Sequence, residues 1–88
     1  MKELYVFYNQ QCITYKEHDH VIDEFASEND DVVVVKFDYT HPAPPPTTYH
    51  VQKFGITQSP TYVGVVDGSE IDRTNGQPSK FVLRSLLG

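Results

Sequence analysis

Eighty-eight residues hold one hydrophobic core and no more, because a chain this short hides only about two thirds of its unfolded surface, and residues 1–88 are expected to form a single domain. A composition of 39% hydrophobic and 12% aromatic residues suits a globular protein, while a formal charge of −5 with seven scattered basic residues argues against nucleic acid or an anionic membrane as the main partner. The lone cysteine rules out an internal disulfide and points to a reducing compartment; with no apolar leader and no run near the roughly 18 apolar residues of a membrane span, a cytoplasmic protein is expected.

Leu4 to Tyr8 is an apolar, aromatic run closed by Asn9-Gln10-Gln11, the pattern of a buried strand and a turn. From Ile13 to Glu28 neither Gly nor Pro occurs, and Val21, Ile22, Phe25 and Ala26 recur at helical spacing, which predicts an amphipathic helix. After the break at Asn29-Asp30-Asp31, Val32 to Phe37 is apolar on both faces, as a central parallel strand would be. The prolines between Thr40 and Pro46 exclude helix or inner strand and predict a stiff loop; its P-x-x-P spacing is read as a surface connection rather than a docking motif. Thr47 or Thr48 then caps a short helix through Phe54, ended by Gly55. Thr61 to Val66 and Ser69 to Arg73 form a hairpin about Asp67-Gly68, and Pro78-Ser79 opens a final helix with Val82, Leu83, Leu86 and Leu87 as its buried stripe. The expected order is β-α-β-α-β-β-α, an α/β fold whose four-stranded mixed sheet is covered by helices on both faces.

Cys12 falls where the first helix begins, and unpaired N–H groups and the helix dipole at such a position favour a thiolate. Cysteines in this setting have pKa values lowered from about 8.5 to roughly 3.5–7.5, although most free cysteines are simply small buried hydrophobes. Ser59-Pro60 just ahead of a strand is a natural place for a cis peptide.

Taken together, F-Y-N-Q-Q-C, K-F-G-I-T-Q-S-P-T-Y-V, the D-G-S-E-I hairpin and N-G-Q-P-S-K resemble thioredoxin over nearly the whole chain, without its extra N-terminal strand and helix. The resemblance implies a thioredoxin-like fold with Cys12 as the attacking thiol of the W-C-G-P-C-K motif. It sets Gln11 at the tryptophan, Ile13-Thr14 at Gly-Pro, Tyr15 at the second cysteine and Lys16 at the lysine. Ser59, Pro60 and Thr61 then take the substrate-backbone platform, and Lys36 the place of a nearby buried lysine. The family's buried acid falls at Val6, and the resolving thiol is missing, so a dithiol cycle is excluded and enzymatic activity is left open. Two readings stand: a monothiol protein forming mixed disulfides that an external thiol such as glutathione resolves, or a non-catalytic module that binds a protein partner through the Cys12/Pro60 groove. Neither calls for a cofactor. The glutathione-binding Gly-Gly-Asp signature is not visible at Asn75-Gly76-Gln77. The expected state is a monomer, with a Cys12-bridged dimer only under oxidising conditions.

Other residues invite blander readings. His18 and His20 point to different sides of a helix, poor geometry for a metal, so none is expected. His41 and His50 are read as solvated, and Tyr5, Tyr8, Tyr39, Tyr49 and Tyr62 as core or rim aromatics engaged mostly in packing, with Tyr8 near the site.

Overall fold

In the run Leu4-Tyr5-Val6-Phe7 every residue is apolar or aromatic, and the pleat of a strand sends alternate ones to opposite faces. The computed structural model, which describes residues 1–40 and 43–88, uses both faces: Leu4 and Val6 enter one buried cluster, Tyr5 and Phe7 the other. This strand, β1 (Lys2–Tyr8), is therefore central, pairing in parallel with β2 (Val32–Asp38) and antiparallel with β3 (Thr61–Val66). Strand β4 (Ser69–Asn75) completes a four-stranded sheet of order β2-β1-β3-β4. The order corrects the reading of Val32 to Phe37 as a central strand, since β2 lies at an edge and Val33 is 47% exposed.

Helix α1 (Ile13–Glu28) buries Tyr15, His18, Ile22 and Phe25, a stripe at three- and four-residue spacing. Val21 and Ala26, expected in that stripe, are only partly covered. Together with α3 (Lys80–Ser85), α1 closes one face of the sheet over Leu4, Val6, Val32 and Tyr62, to which α3 and its end add Leu83, Leu86 and Leu87. The other face belongs to α2 (Pro45–Phe54), whose Val51 and Phe54 pack on Phe7, Ile56, Val63 and Val65. Helices on both faces are thus the observed arrangement.

Local chemistry sets the element ends. Pro45 and Pro46 open α2 because proline's missing N–H costs nothing in a first turn, and Thr47, expected as a cap, is instead buried within the helix. Gly55 ends α2 at φ 62°, in the left-handed region. Asp67 and Gly68, at φ 52° and 85°, both take the left-handed conformation of a two-residue hairpin turn. The Ser79 hydroxyl accepts from the Val82 N–H and caps α3. Among the described residues no helix is long and apolar enough to cross a membrane. His41, and Pro42 where the P-x-x-P spacing begins, lie outside the described residues.

Candidate functional site

The turn after β1 places the sulfur. Asn9 accepts the Cys12 N–H on its carbonyl at 2.9 Å and the Gln11 N–H on its side-chain oxygen at 2.8 Å, and the chain enters α1 with Cys12 as N-cap. The N–H of Asn9 donates to the Ser59 hydroxyl at 3.0 Å, fastening the end of β1 to the segment before β3. That segment contains a cis Ser59–Pro60 peptide, and the partly buried Cys12 thiol donates to the Ser59 carbonyl at 3.4 Å. Burial pushes the Cys12 thiol up, but the Ser59 hydroxyl and the N–H groups of Tyr15 and Thr14 favour the anion more strongly. The net direction is down from the ordinary thiol value.

Tyr15, one turn after Cys12, is buried and stacks on Tyr8 with ring centroids 4.1 Å apart and planes 12° apart. Its hydroxyl donates to Asp19 at 2.6 Å, the same carboxylate oxygen that takes Lys36 at 2.9 Å, while Lys36 also reaches Asp23 at 2.8 Å. Of the two roles open to the phenol, bonding the sulfur or filling space, it takes the second and gives its proton to Asp19. Burial and the facing carboxylate push the Tyr15 phenol far up. The Tyr15 hydrogen bond, opposed by burial and assisted by Lys36, holds Asp19 below the usual carboxylate range. A depressed carboxyl stabilises the fold above its unfolded pKa of about 3.9 and ceases to as the pH falls through the lower folded value. Asp19→Asn is therefore expected to be the less stable protein near neutrality, with the gap to wild type narrowing below about pH 4. Because the Asp19 side chain is 42% exposed, solvent screening keeps the effect small; urea titrations at several pH values measure it, and a gap independent of pH overturns it.

No family model and no curated protein sequence matches the chain. Solved structures do. A thioredoxin from Fasciola hepatica superposes with a TM-score of 0.81 at 22% identity, over 97% of this chain and 77% of that one. Mitochondrial thioredoxin 3 from Saccharomyces cerevisiae, in its oxidised form, gives 0.80 at 21% identity over 97% and 76%; a mutant thioredoxin from Halobacterium salinarum gives 0.79 at 23% over 98% and 71%. The chain has the thioredoxin fold.

On this thioredoxin-like frame the expected site residues divide. Cys12, Ser59 and Pro60 come together, with Tyr15 behind the sulfur. Gln11, Ile13, Thr14 and Lys16 are exposed around the helix start, and the Thr14 carbonyl accepts from Gln77 Nε2 at 3.2 Å. Thr61 turns away from the groove: it is 2% exposed, gives its hydroxyl proton to the Gln58 carbonyl and accepts from Asn75. Lys36, matched by resemblance to a buried lysine, is neutralised at the surface by Asp19 and Asp23. Tyr62, for which core and rim were both open, is wholly buried in the core.

Several contributors went unread in the sequence. Asp19 stands four residues after Tyr15, the spacing at which helix side chains meet, so that pair was open to detection. Asn9 and Gln77 act across 50 and 63 residues of chain, and no local pattern signals either contact.

Proposed function

We propose that the protein is a single-thiol thiol–disulfide exchange protein in which Cys12 is the nucleophile and Ser59 and Pro60 are the platform for the client's backbone. The observation that carries this reading is the position of the sulfur: N-cap of α1, against Ser59, with its thiol lowered by hydrogen bonds that outweigh burial. The Cys12 thiolate attacks one sulfur of a client disulfide, forming a mixed disulfide and expelling the other sulfur as a thiolate. An external thiol such as glutathione then attacks the client's sulfur in that bond. It carries the client off as a new disulfide and returns Cys12 as thiolate, so electrons and sulfurs balance. No neighbouring thiol competes with this second step, because Tyr15 holds the position one turn away. Clients are protein disulfides or thiols, the reaction needs no cofactor, and the working unit is one domain of residues 1–88, acting as a monomer in the cytoplasm.

The rate of Cys12 alkylation by iodoacetamide against pH tests the reading. The expected midpoint lies clearly below the value of about 8.5 for a free thiol, and a midpoint at or above it rejects the redox role. One observation favours a non-catalytic binding module instead. Ile13, next to Cys12, is 70% exposed, an apolar rim suited to holding a protein partner. An inert thiol in the alkylation experiment is the result that module predicts.

A further inference from the structure

The edge of a sheet is a row of unpaired N–H and C=O groups ready to pair with another chain, and native proteins blunt it with charges, bulges or cover. The two edges of this sheet differ in that respect. On β4, Glu70, Asp72 and Arg73 set charges along the strand, and a register shift at Gly64/Val65 leaves Ile71, between Glu70 and Asp72, without a partner on β3. On β2 the pairing with β1 is regular over all seven residues, four of the seven are valine, and Val33 is 47% exposed.

Tyr39 gives its N–H to the Tyr8 carbonyl, so by the alternation of a strand Val33, Val35 and Phe37 also turn their backbone groups toward β1, while Val34, Lys36 and Asp38 turn theirs outward. Among the described residues no strand pairs with that outer row. Charge along the edge is uneven. At its start Asp30 and Asp31 are balanced by Lys2 and Arg84, both bridged to Asp31; toward its end the carboxylates of Asp19, Asp23 and Asp38 stand with the single cation of Lys36, a net of −2. Parallel pairing with a second copy would set like ends together. Antiparallel pairing lays each acidic end beside the balanced end of the other copy, where Lys2 and Arg84 are. With the twofold axis at Val35, all seven residues of each β2 are paired. The outward-turned Val34 and Lys36 of one copy then oppose Lys36 and Val34 of the other and exchange N–H···O=C bonds, Val33 lies opposite Phe37, and no like charges meet across the strands.

We propose that the outer edge of β2 is a self-recognition surface, through which two copies of the chain join their sheets antiparallel into one continuous sheet. The contact is that of two short strands, below the roughly 1,200 Å² at which standard interfaces begin, so the pairing is weak and depends on concentration. It is independent of the single-thiol reading: Cys12 faces Ser59, ahead of β3, and β1 separates β3 from the paired edge. Each copy therefore keeps a whole site, and the dilute monomer does the exchange chemistry.

Sedimentation velocity from roughly 10 μM to 1 mM, in reductant so that no Cys12-bridged dimer forms, is expected to show the mass rising from that of one chain toward that of two. Val33→Lys, at an exposed position, is expected to weaken the association roughly tenfold or more, and Ile71→Lys on the other edge to leave it unchanged. In the wild type the amide NMR shifts of Val34, Lys36 and Asp38 are expected to move with concentration, and those of Val33, Val35 and Phe37 much less. Should Val33→Lys misfold, these wild-type shifts decide. A monomer at every concentration overturns the proposal, as does an association that Val33→Lys leaves intact or that Ile71→Lys removes. A monomer whose outward β2 amides respond only to an added extended peptide assigns the edge to another chain and overturns it too.

Discussion

Tyr15→Cys is expected to convert the protein from one that needs an external thiol to clear its mixed disulfide into one that forms and breaks its own disulfide. Residues three apart on a helix have neighbouring side chains, with Cβ atoms about 5–6 Å apart, and a disulfide needs Cα atoms about 4.4–6.8 Å apart and Cβ atoms nearer about 4 Å, so modest closure brings the sulfurs together. The second thiol would lie in the buried ground behind Cys12 that the Tyr15 ring now occupies against Tyr8. From there it can attack the Cys12 sulfur of a mixed disulfide, release the client as a thiol and leave a bond between residues 12 and 15. With external thiol kept limiting, release of reduced peptide from a peptide disulfide should rise from a slow, external-thiol-dependent rate to a readily measured single turnover that leaves the bond between residues 12 and 15. Removing a buried aromatic ring costs stability, by analogy with Phe→Ala about 3 kcal/mol, so folding is checked first by circular dichroism. A folded variant that forms no internal disulfide on mild oxidation would show that the geometry behind Cys12 is not that of a redox site. The same variant with an internal disulfide but no turnover would place the protein with the binding modules.

How far the sequence discloses this arrangement depends on the range of the interaction concerned. The bounds of α1, the Asp67-Gly68 turn and the Ser79 cap rest on neighbouring residues, and each is legible from its own few positions. Strand order is less so. Val32 to Val35 read as doubly buried because four valines in a row carry no alternation, yet whether β3 lies beside β1 or β2 is settled by chain crossing and by the apolar faces of β1, not by that run. Proline chemistry misleads in the opposite direction: the ring that excludes a residue from a helix interior suits the first turn, so α2 begins at Pro45 and takes in Thr47, which by residue type suits its cap. In the site itself, Cys12 and Ser59-Pro60 are readable as types in context, whereas for Tyr62, in the core beneath α1, the sequence leaves core and rim both open. Its burial follows from facing Val6 under two helices, information held by the pairing register rather than by any segment.

Gly64→Ala should produce the largest loss of stability, although the position is ordinary extended strand and looks tolerant in the sequence. A Cβ built there would sit 2.0 Å from the Leu86 carbonyl oxygen, 2.6 Å from its carbonyl carbon and 2.9 Å from its Cβ, against about 3.5 Å for comfortable carbon contact. Two of those atoms are backbone, so no rotamer change relieves the clash. β3 cannot retreat, because Gly64 is paired with Leu4 on one side and Asp72 on the other. The end of α3 must therefore lift, and Leu83, Leu86 and Leu87, each at most 3% exposed, lose cover together. Overpacking of this kind costs about 3 kcal/mol or more, a large part of the roughly 5–15 kcal/mol that holds a small domain folded. Urea denaturation gives the value directly, and a loss under about 1 kcal/mol would mean that α3 does not rest on β3 at this point. Fluorescence or near-UV dichroism from the tyrosines separates two routes to the loss. If only α3 lifts, Tyr8 and Tyr15 keep their stacked signal and Cys12 its reactivity; if the sheet yields, both fall with the fold.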